Sequence, residues 1–141
     1  MIRQFQSNDL NDIMTAWRKA NALAHPFLDP TLVQTIHDMI RDQFVPISDI
    51  WVAEDNGRVV GFIALLGNQV GGLFLDPAQH GKGIGRALMD KATTLHAELL
   101  LEVFKDNAIG RQFYDRYGFE TIEEAVDDFT GHPVLRLRYT A

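Results

Sequence analysis

The sequence predicts an α+β fold, with a mixed, mostly antiparallel twisted sheet of about seven strands and about four helices on its two faces. Apolar stretches with the pattern of strands are interspersed with segments that repeat apolar residues at helical spacing, in the order β-α-α-β-β-β-α-β-α-β-β. Asn56-Gly57, a strong hairpin signal, makes the middle strands antiparallel. A length of 141 residues with 46% hydrophobic content suits a single domain over residues 1–141.

Two helices follow a short first strand. Ser7-Asn8-Asp9 has the residue types of a helix N-cap, and apolar residues continue at helical spacing as far as Trp17. The second helix begins at Asp29-Pro30, with proline at the first helical position, and its apolar face extends to Phe44. Val45-Pro46 is predicted to end this helix.

Six further strands and two further helices complete the chain. A strand is predicted on each side of the hairpin turn, and a helix marked by apolar residues follows the next strand. Gly118 is a C′ glycine that ends the last helix. The predicted strands cover residues 50–55, 58–66, 70–75, 99–104, 119–126 and 134–139, and the helices cover 84–95 and 108–117.

Composition excludes several classes of function. The absence of cysteine removes disulfides, thiolate metal sites and a cysteine-bound acyl intermediate. The net charge of −6 argues against nucleic acid as a partner, and five scattered histidines make no metal-ligand pattern. No signal peptide and no apolar run of membrane-spanning length are visible, so we expect a cytoplasmic protein without a membrane partner.

The most informative segment is a glycine-rich loop between a strand and a helix. An apolar strand reaches a turn at Asp76-Pro77, and Gly81-Lys82-Gly83-Ile84-Gly85 then opens the next helix. Three glycines two apart leave the backbone bare, so that successive N–H groups can point at one anion from a helix N-terminus. Lys82 and Arg86 add positive charge. The loop is therefore predicted to hold a pyrophosphate.

Other glycine-loop motifs fit this segment less well. A P-loop needs Gly-x-x-x-x-Gly-Lys-Ser/Thr, but Gly83 follows Lys82. A dinucleotide-binding fingerprint is closer, since acidic Glu102 lies about 20 residues further on. Its spacing differs, however, and antiparallel-type strands precede the loop. A glycine-rich turn without a ligand is a further alternative, but it gives no reason for the flanking cations.

A second motif follows the strand that carries Glu102. Residues 107–119 read Asn-Ala-Ile-Gly-Arg-Gln-Phe-Tyr-Asp-Arg-Tyr-Gly-Phe. With the loop, they resemble the GNAT superfamily of acetyl-CoA-dependent N-acetyltransferases, whose signatures are Arg/Gln-x-x-Gly-x-Gly/Ala and Asn-x-x-Ala-x-x-Phe-Tyr-x-x-x-Gly-Phe. The resemblance covers essentially the whole chain and is greatest to small single-domain bacterial members, including proposed protein-lysine acetyltransferases.

Two positions depart from the family pattern. His80 stands where Arg or Gln is usual, which leaves the backbone contacts of the loop intact. Gly110 stands where alanine is usual and should weaken its helix by up to ~1 kcal/mol.

The resemblance implies how the coenzyme binds. In this family the fourth and fifth strands splay apart, and the pantetheine arm lies between them. Backbone groups at the end of the fourth strand would hold the arm and polarise the thioester carbonyl, Asn107 would hydrogen-bond the arm, and Phe113 would pack on it. The implied coenzyme-binding residues are Phe74, Leu75, His80, Gly81, Lys82, Gly83, Ile84, Gly85, Arg86, Asn107 and Phe113.

Two residues are candidates for catalysis. Tyr114 falls where the family keeps a tyrosine near the coenzyme sulfur, as a general acid for the departing thiolate. Glu102 interrupts an apolar strand, and because an unpaired carboxylate is costly to bury, it should face a cavity or a cation. It is either the base that deprotonates the amine, directly or through a water, or a structural ion-pair partner of Arg136 or Arg138.

Candidate acceptor-site residues come from the same resemblance. His25 and Phe27 lie in the loop between the first two helices, which borders the acceptor site in the family. Asp128 belongs to an acidic segment on the acceptor side, which would attract a cationic amine. A locally hydrogen-bonded His25 and a merely solvated acidic segment are the alternatives.

The predicted function is therefore acetyl transfer from acetyl-CoA to a primary amine of a small molecule or of a protein lysine or N-terminus. Direct transfer in a ternary complex is expected, since no cysteine can carry the acyl group. A non-catalytic acyl-CoA-binding or sensing domain is the alternative, and a dinucleotide-binding oxidoreductase fits less well. The protein is expected to be a monomer or a homodimer, with residues 134–139 as an edge strand able to pair between subunits.

Overall fold

Seven strands form one sheet in the order β1-β2-β3-β4-β5-β7-β6 in the computed structural model, which describes residues 1–141. The predicted α+β class and element order are confirmed. The elements are β1 (Ile2–Gln4), α1 (Leu10–Ala24), α2 (Pro30–Met39), β2 (Asp49–Asp55), β3 (Arg58–Leu66), β4 (Gln69–Leu75), α3 (Ile84–Leu95), β5 (Glu98–Phe104), α4 (Ala108–Tyr117), β6 (Glu120–Val126) and β7 (Pro133–Thr140).

The pairing of β4 with β5 is the exception in this sheet. Every other neighbouring pair is antiparallel, whereas β4 and β5 run parallel and pair only through Gln69 with Leu100 and Val70 with Leu101. Beyond these residues the strands part, so that residues 71–75 of β4 have no strand on the β5 side. The predicted splay between the fourth and fifth strands is confirmed.

Helices cover the two faces of the sheet unequally. On one face, α1 and α2 pack over the N-terminal strands, with Ile13 and Trp17 of α1 almost fully buried. On the other face, Leu88 and Met89 of α3 are completely buried in a second apolar cluster, on which the aromatic residues of α4 also pack. The α1 face of β5, β7 and β6 carries no helix, and Arg136 lies exposed there.

Local signals in the sequence are realised closely. Asn56 and Gly57 both have positive φ, 52° and 76°, as a two-residue type I′ hairpin requires. The Asp29 carboxylate caps α2 by accepting the backbone N–H of Thr31 at 2.8 Å. The predicted end of this helix differs, because a π-helical turn at Ile40–Phe44 and a 3-10 turn follow α2. The side chain of Phe44 is consequently 42% exposed and not part of the apolar face.

The C-terminal strand is central, contrary to the prediction. β7 lies between β5 and β6, and Val134, Leu135 and Leu137 are buried. The edge strand on this side of the sheet is β6, whose residues are mostly exposed. No helix combines the length and the apolar character that crossing a membrane would need.

Candidate active site

A cleft of about 330 Å³ opens where β4 and β5 part. Its walls come from the C-terminal turn of α1, the end of β4 with the loop after it, and the N-terminal half of α4. The lining residues are Ala20, Leu23, Ala24, His25, Leu73, Phe74, Leu75, His80, Gly81, Gly83, Ile84, Gly85, Arg86, Asn107, Ile109, Gly110, Phe113 and Tyr114.

Most of the residues predicted to bind the coenzyme meet in this cleft. All of them except Lys82 line it, and so do Tyr114 and His25. The Lys82 side chain lies outside, where its Nζ donates to Gln79 Oε1 at 3.0 Å. Three further predicted residues do not line the cleft: Glu102, Phe27 and Asp128.

The glycine loop presents a row of free backbone donors. Gly81 and Gly83 have φ of 82° and 79°, which L side chains rarely adopt, and Gly83 is the N-cap of α3. No side chain caps this helix, and none of the N–H groups of residues 81–86 meets a backbone acceptor. A helix N-terminus with unpaired donors binds anions such as phosphate. This geometry fits the predicted pyrophosphate cradle.

Two contacts brace the loop against α4. A Cβ on Gly85 would lie 3.3 Å from Phe113 Cε1, so the glycine lets the Phe113 ring pack closely on the first turn of α3. The Arg86 guanidinium lies 5.4 Å from the centre of the Tyr117 ring, within the range of a cation–π interaction. Tyr117 Oη in turn donates to Asp90 Oδ1. Arg86 is thereby held at the cleft.

Tyr114 has the properties of a proton donor. Its ring packs against Phe113 and Phe119, with ring centres 5.5 and 5.6 Å away. Burial raises the pKa of Tyr114 to about 12, so the phenol keeps its proton at neutral pH. The hydroxyl has no hydrogen-bond partner within the chain and lies in the cleft wall, where it can donate to a ligand.

His25 is fully engaged in hydrogen bonds. Its Nδ1 lies 2.7 Å from Asn21 Oδ1, and its Nε2 lies 3.1 Å from Asn107 Nδ2. Burial lowers the pKa of His25 to about 4, so the ring is neutral at physiological pH. Since both nitrogens have protein partners, His25 has no free lone pair with which to accept a proton from a substrate.

An aromatic cluster of His25, Phe27, Phe104 and His132 adjoins the cleft. The His25 ring centre lies 4.9 Å from that of Phe104, and the Phe27 ring centre lies 5.1 Å from that of His132. The cluster therefore joins the α1–α2 loop to the β6–β7 loop. Asp128 is exposed in the latter loop.

Glu102 lies on the sheet face that no helix covers. Its side chain is 46% exposed, so the expected cost of burial does not arise. Glu102 Oε2 is 3.7 Å from Arg136 Nε, whereas Glu123 Oε2 is 2.8 Å from Arg136 Nη1. Glu102 thus faces a cation, as predicted, but it is the more distant of two partners.

Sequence reasoning missed part of the cleft wall. Leu23 and Ile109 line the cleft although they are 48% and 43% exposed, since the cleft opens to solvent. The available signal was that these two large apolar residues lie outside the core-facing stripes of α1 and α4, which indicates that they face something other than the core. The remaining missed residues are Ala20, Ala24, Leu73 and Gly110.

Known proteins resemble this chain in sequence and in fold. Residues 46–121 match the family model of an acetyltransferase (GNAT) domain. The chain is 31% identical over 134 residues to the peptidyl-lysine N-acetyltransferase YiaC of Escherichia coli K12, covering 94% of this chain and 92% of that protein. It is 31% identical over 141 residues to the peptidyl-lysine N-acetyltransferase YjaB of the same strain, with 98% and 95% covered.

Solved structures agree with these matches. The solution structure of apo-form YjaB from Escherichia coli has a TM-score of 0.89 at 30% identity, covering 99% of this chain and 96% of that chain. The PaiA N-acetyltransferase of Thermoplasma acidophilum in complex with coenzyme A shares the fold, with a TM-score of 0.84 at 18% identity over 100% and 98% of the chains.

Fold and cleft thus define an acyltransferase that takes its acyl group from a coenzyme A thioester. The chain belongs to the GNAT family of acetyltransferases. It is an N-acetyltransferase, and acetyl-CoA is its acetyl donor.

The different positions of Arg86 and Lys82 lead to a prediction about coenzyme affinity. Arg86→Ala should weaken acetyl-CoA binding about tenfold, because a charge-assisted hydrogen bond is worth about 1.5 kcal/mol or more. Lys82→Ala removes the same charge from the same loop and should weaken binding less than about threefold. Titration calorimetry measures both dissociation constants, and equal losses would contradict the assignment.

The buried His25 leads to a prediction about stability and pH. Because the folded-state pKa of about 4 lies below the ordinary 6.5, the unfolded chain binds the proton first as the pH falls. Stability from this group should therefore be lost between about pH 6.5 and pH 4, by up to about 3 kcal/mol. In urea unfolding at pH 7.5 and 4.5, His25→Gln should reduce the difference between the two pH values.

The control for this prediction is His96→Gln, at the end of α3 away from the cleft, which should keep the wild-type difference. A wild-type pH dependence in His25→Gln would contradict the assignment of this loss to His25.

Proposed function

We propose that this protein acetylates lysine side chains of other proteins by direct transfer from acetyl-CoA. The observation that carries the proposal is that the α1 face of β5, β7 and β6 carries no helix, and that Phe104 at the end of β5 joins this face to His25 in the cleft wall. A folded or extended polypeptide can approach there, whereas a site for a small amine would need walls on more sides. The names of YiaC and YjaB, which match nearly the whole chain, support the same acceptor class.

The donor side of the proposal assigns three binding surfaces. The N–H groups of residues 81–86 take the pyrophosphate, with Arg86 beside them. The free edge of β4 at Phe74 and Leu75 pairs with the amides of the pantetheine arm, as an added strand would. Asn107 and Phe113 contact the arm from the α4 side. When bound, acetyl-CoA supplies an activated acetyl group as a thioester.

Two side chains handle the protons in this mechanism. Glu102, directly or through a water, takes one proton from the lysine ammonium and passes it to solvent. The neutral amine nitrogen then bonds to the acyl carbon and loses its second proton by the same route. As the carbon–sulfur bond breaks, Tyr114 Oη gives its proton to the sulfur. Solvent then reprotonates the tyrosinate, which is a strong base at a pKa of about 12, and takes the proton from Glu102. A free β4 N–H polarises the acyl carbonyl.

Glu102 suits the role of base because of its placement. It is on the same face of β5 as Phe104, whose ring contacts His25 in the cleft wall. Its exposed carboxylate reaches solvent, and its pairing with Arg136 is loose at 3.7 Å. A water between the carboxylate and the amine can therefore carry the proton.

The acceptor side carries an excess of acidic groups. Glu102, Glu123 and Asp128 are all exposed on or beside the uncovered face, and the aromatic cluster lies next to them. Aromatic edges such as that of Phe27 suit the aliphatic stem of a lysine, and the carboxylates favour its charge. A lysine with basic neighbours in sequence is the acceptor that this surface would prefer.

The role of Tyr114 leads to a prediction about turnover. Tyr114→Phe should lower kcat by roughly 10²-fold or more and leave the affinity for acetyl-CoA nearly unchanged, because only the acidic hydroxyl is removed. Steady-state kinetics and calorimetry measure the two quantities. Tyr139→Phe, in the same aromatic cluster of the core but outside the cleft, is the control and should keep full activity. Full activity in Tyr114→Phe would exclude the general-acid role.

The role of Glu102 leads to a prediction about the pH–rate profile. Glu102→Gln should lower kcat/KM by about 10²-fold and remove the fall in rate at acidic pH that protonation of the base causes. Glu98→Gln, on the same face at the other end of β5, should keep the wild-type profile. An unchanged profile in Glu102→Gln would exclude Glu102 as the base and leave it only the role of an ion-pair partner of Arg136.

Acetylation of synthetic peptides tests the acceptor. With acetyl-CoA and mass detection, a peptide with one lysine between arginines should be acetylated with a lower KM than one with lysine between glutamates. A matched peptide with glutamine in place of lysine should gain no acetyl group. If spermidine or other small amines are modified and no peptide is, the proposed acceptor is wrong. If no amine is modified at all, the protein is a binding or sensing domain.

A further inference from the structure

A chain of hydrogen bonds joins α1 to the start of α4 through the cleft wall. Asn21 and Asn107 are 4% and 8% exposed, and they are two of only five polar residues buried in the molecule. His25 lies between them and bonds to both. Asn107 is the N-cap of α4, where its Oδ1 accepts the backbone N–H of Gly110 at 2.9 Å. We call these four residues the Asn21–Gly110 relay.

The direction of every hydrogen bond in the relay follows from one backbone donor. Because the Gly110 N–H can only donate, Asn107 must present Oδ1 to it and Nδ2 to His25. His25 Nε2 must then be the acceptor, so the proton of the neutral ring is on Nδ1 and is donated to Asn21 Oδ1. Asn107 Nδ2 carries a second hydrogen, which has no partner in the chain and belongs to a residue that lines the cleft.

Gly110 makes room for this arrangement. A Cβ at this position would lie 2.5 Å from Asn107 Nδ2 and 3.0 Å from its Cγ, closer than nonbonded atoms approach. To make room for that Cβ the Asn107 side chain would have to shift, which changes the geometry of both its hydrogen bonds. The glycine that weakens the helix in propensity therefore lets the Asn107 side chain keep the position in which it caps the helix and meets His25.

We propose that His25 is a positioning residue for the coenzyme: through Asn107, it aims one amide N–H at a carbonyl oxygen of the pantetheine arm. The inference rests on the proposed placement of the arm between β4 and α4. His25 itself touches neither the acyl group nor the amine in this role. Because His25 is itself held by Asn21, its hydrogen bond to Asn107 keeps the Asn107 amide in one orientation before the coenzyme binds. Less side-chain entropy is then lost on binding.

Two ligands separate this role from a general structural one. Coenzyme A contains the arm and its amides, whereas adenosine 3′,5′-bisphosphate contains only the part that the glycine loop would hold. His25→Leu should weaken coenzyme A binding about 3- to 10-fold, as expected for one misaligned hydrogen bond, and leave bisphosphate binding unchanged. His25→Gln, which retains an acceptor for Asn107 and a donor for Asn21, should restore most of the affinity.

Two further variants test the pathway of the effect. Gly110→Ala should weaken coenzyme A binding as His25→Leu does, although alanine is the better helix former. In an Asn107→Ala background, His25→Leu should have no additional effect, because the residue through which it acts is gone. A full additional effect in that background, or unchanged coenzyme A binding in His25→Leu, would overturn the inference while leaving the proposed function intact.

The tautomer of His25 gives a test that needs no variant. A long-range ¹H–¹⁵N spectrum of the wild-type protein near pH 7 should show the proton on Nδ1. A proton on Nε2 would overturn the relay directly. If the wild-type protein binds the bisphosphate and binds coenzyme A no more tightly than that, the pantetheine arm adds no affinity. The proposed placement of the arm is then wrong, and this inference falls with it. Binding of neither ligand would overturn the proposed function as well.

Discussion

The early parting of two parallel strands is the constraint on which the site depends. Parallel neighbours normally exchange evenly spaced hydrogen bonds along their length, but β4 and β5 pair through two residue pairs only. The unpaired N–H and C=O groups beyond that point would be costly in an apolar interior. Here they border an open cleft, where solvent can satisfy their hydrogen bonds. A ligand with amide groups can replace that solvent and pair with the free edge of β4. The two helix ends and the loop that line the cleft are arranged around this opening.

The second requirement is that α4 be fixed relative to both walls of the opening. On one side Asn107 joins it to His25 after α1, and on the other Phe113 packs on Gly85 of α3. Tyr114 directly follows Phe113, the second of these attachments. A phenol on a helix fixed at two points varies little in position, and catalytic groups need such precision to within a fraction of an ångström. The aromatic core under α4 therefore serves the chemistry as well as the stability.

What the sequence predicted well was local in origin. The Asp29 cap, the hairpin turn and the backbone conformation of the glycine loop are encoded by neighbouring residues and agreed with the structure. The predicted cap at Ser7-Asn8-Asp9 did not, because these residues form a 3-10 turn and no side chain caps α1. Errors arose where distant parts of the chain decide. β7 proved central because β5, which precedes α4 in the chain, pairs with the side of β7 that β6 leaves free. Glu102 proved exposed because α1 and α2 stop short of β5. His25 and Asn107 are 82 residues apart, so their hydrogen bond had no local signal. The direction of the Lys82 side chain likewise depends on the positive φ of its glycine neighbours.

The row of free N–H groups in the loop has a consequence for product release. Those donors would meet phosphates, which are the same before and after the acetyl group has left. Binding energy from this region is therefore uniform along the reaction: it lowers KM without raising kcat. We expect the spent coenzyme to be held nearly as firmly as the donor and to compete with it. The rate in a cell would then follow the ratio of acetylated to free coenzyme rather than the donor concentration alone.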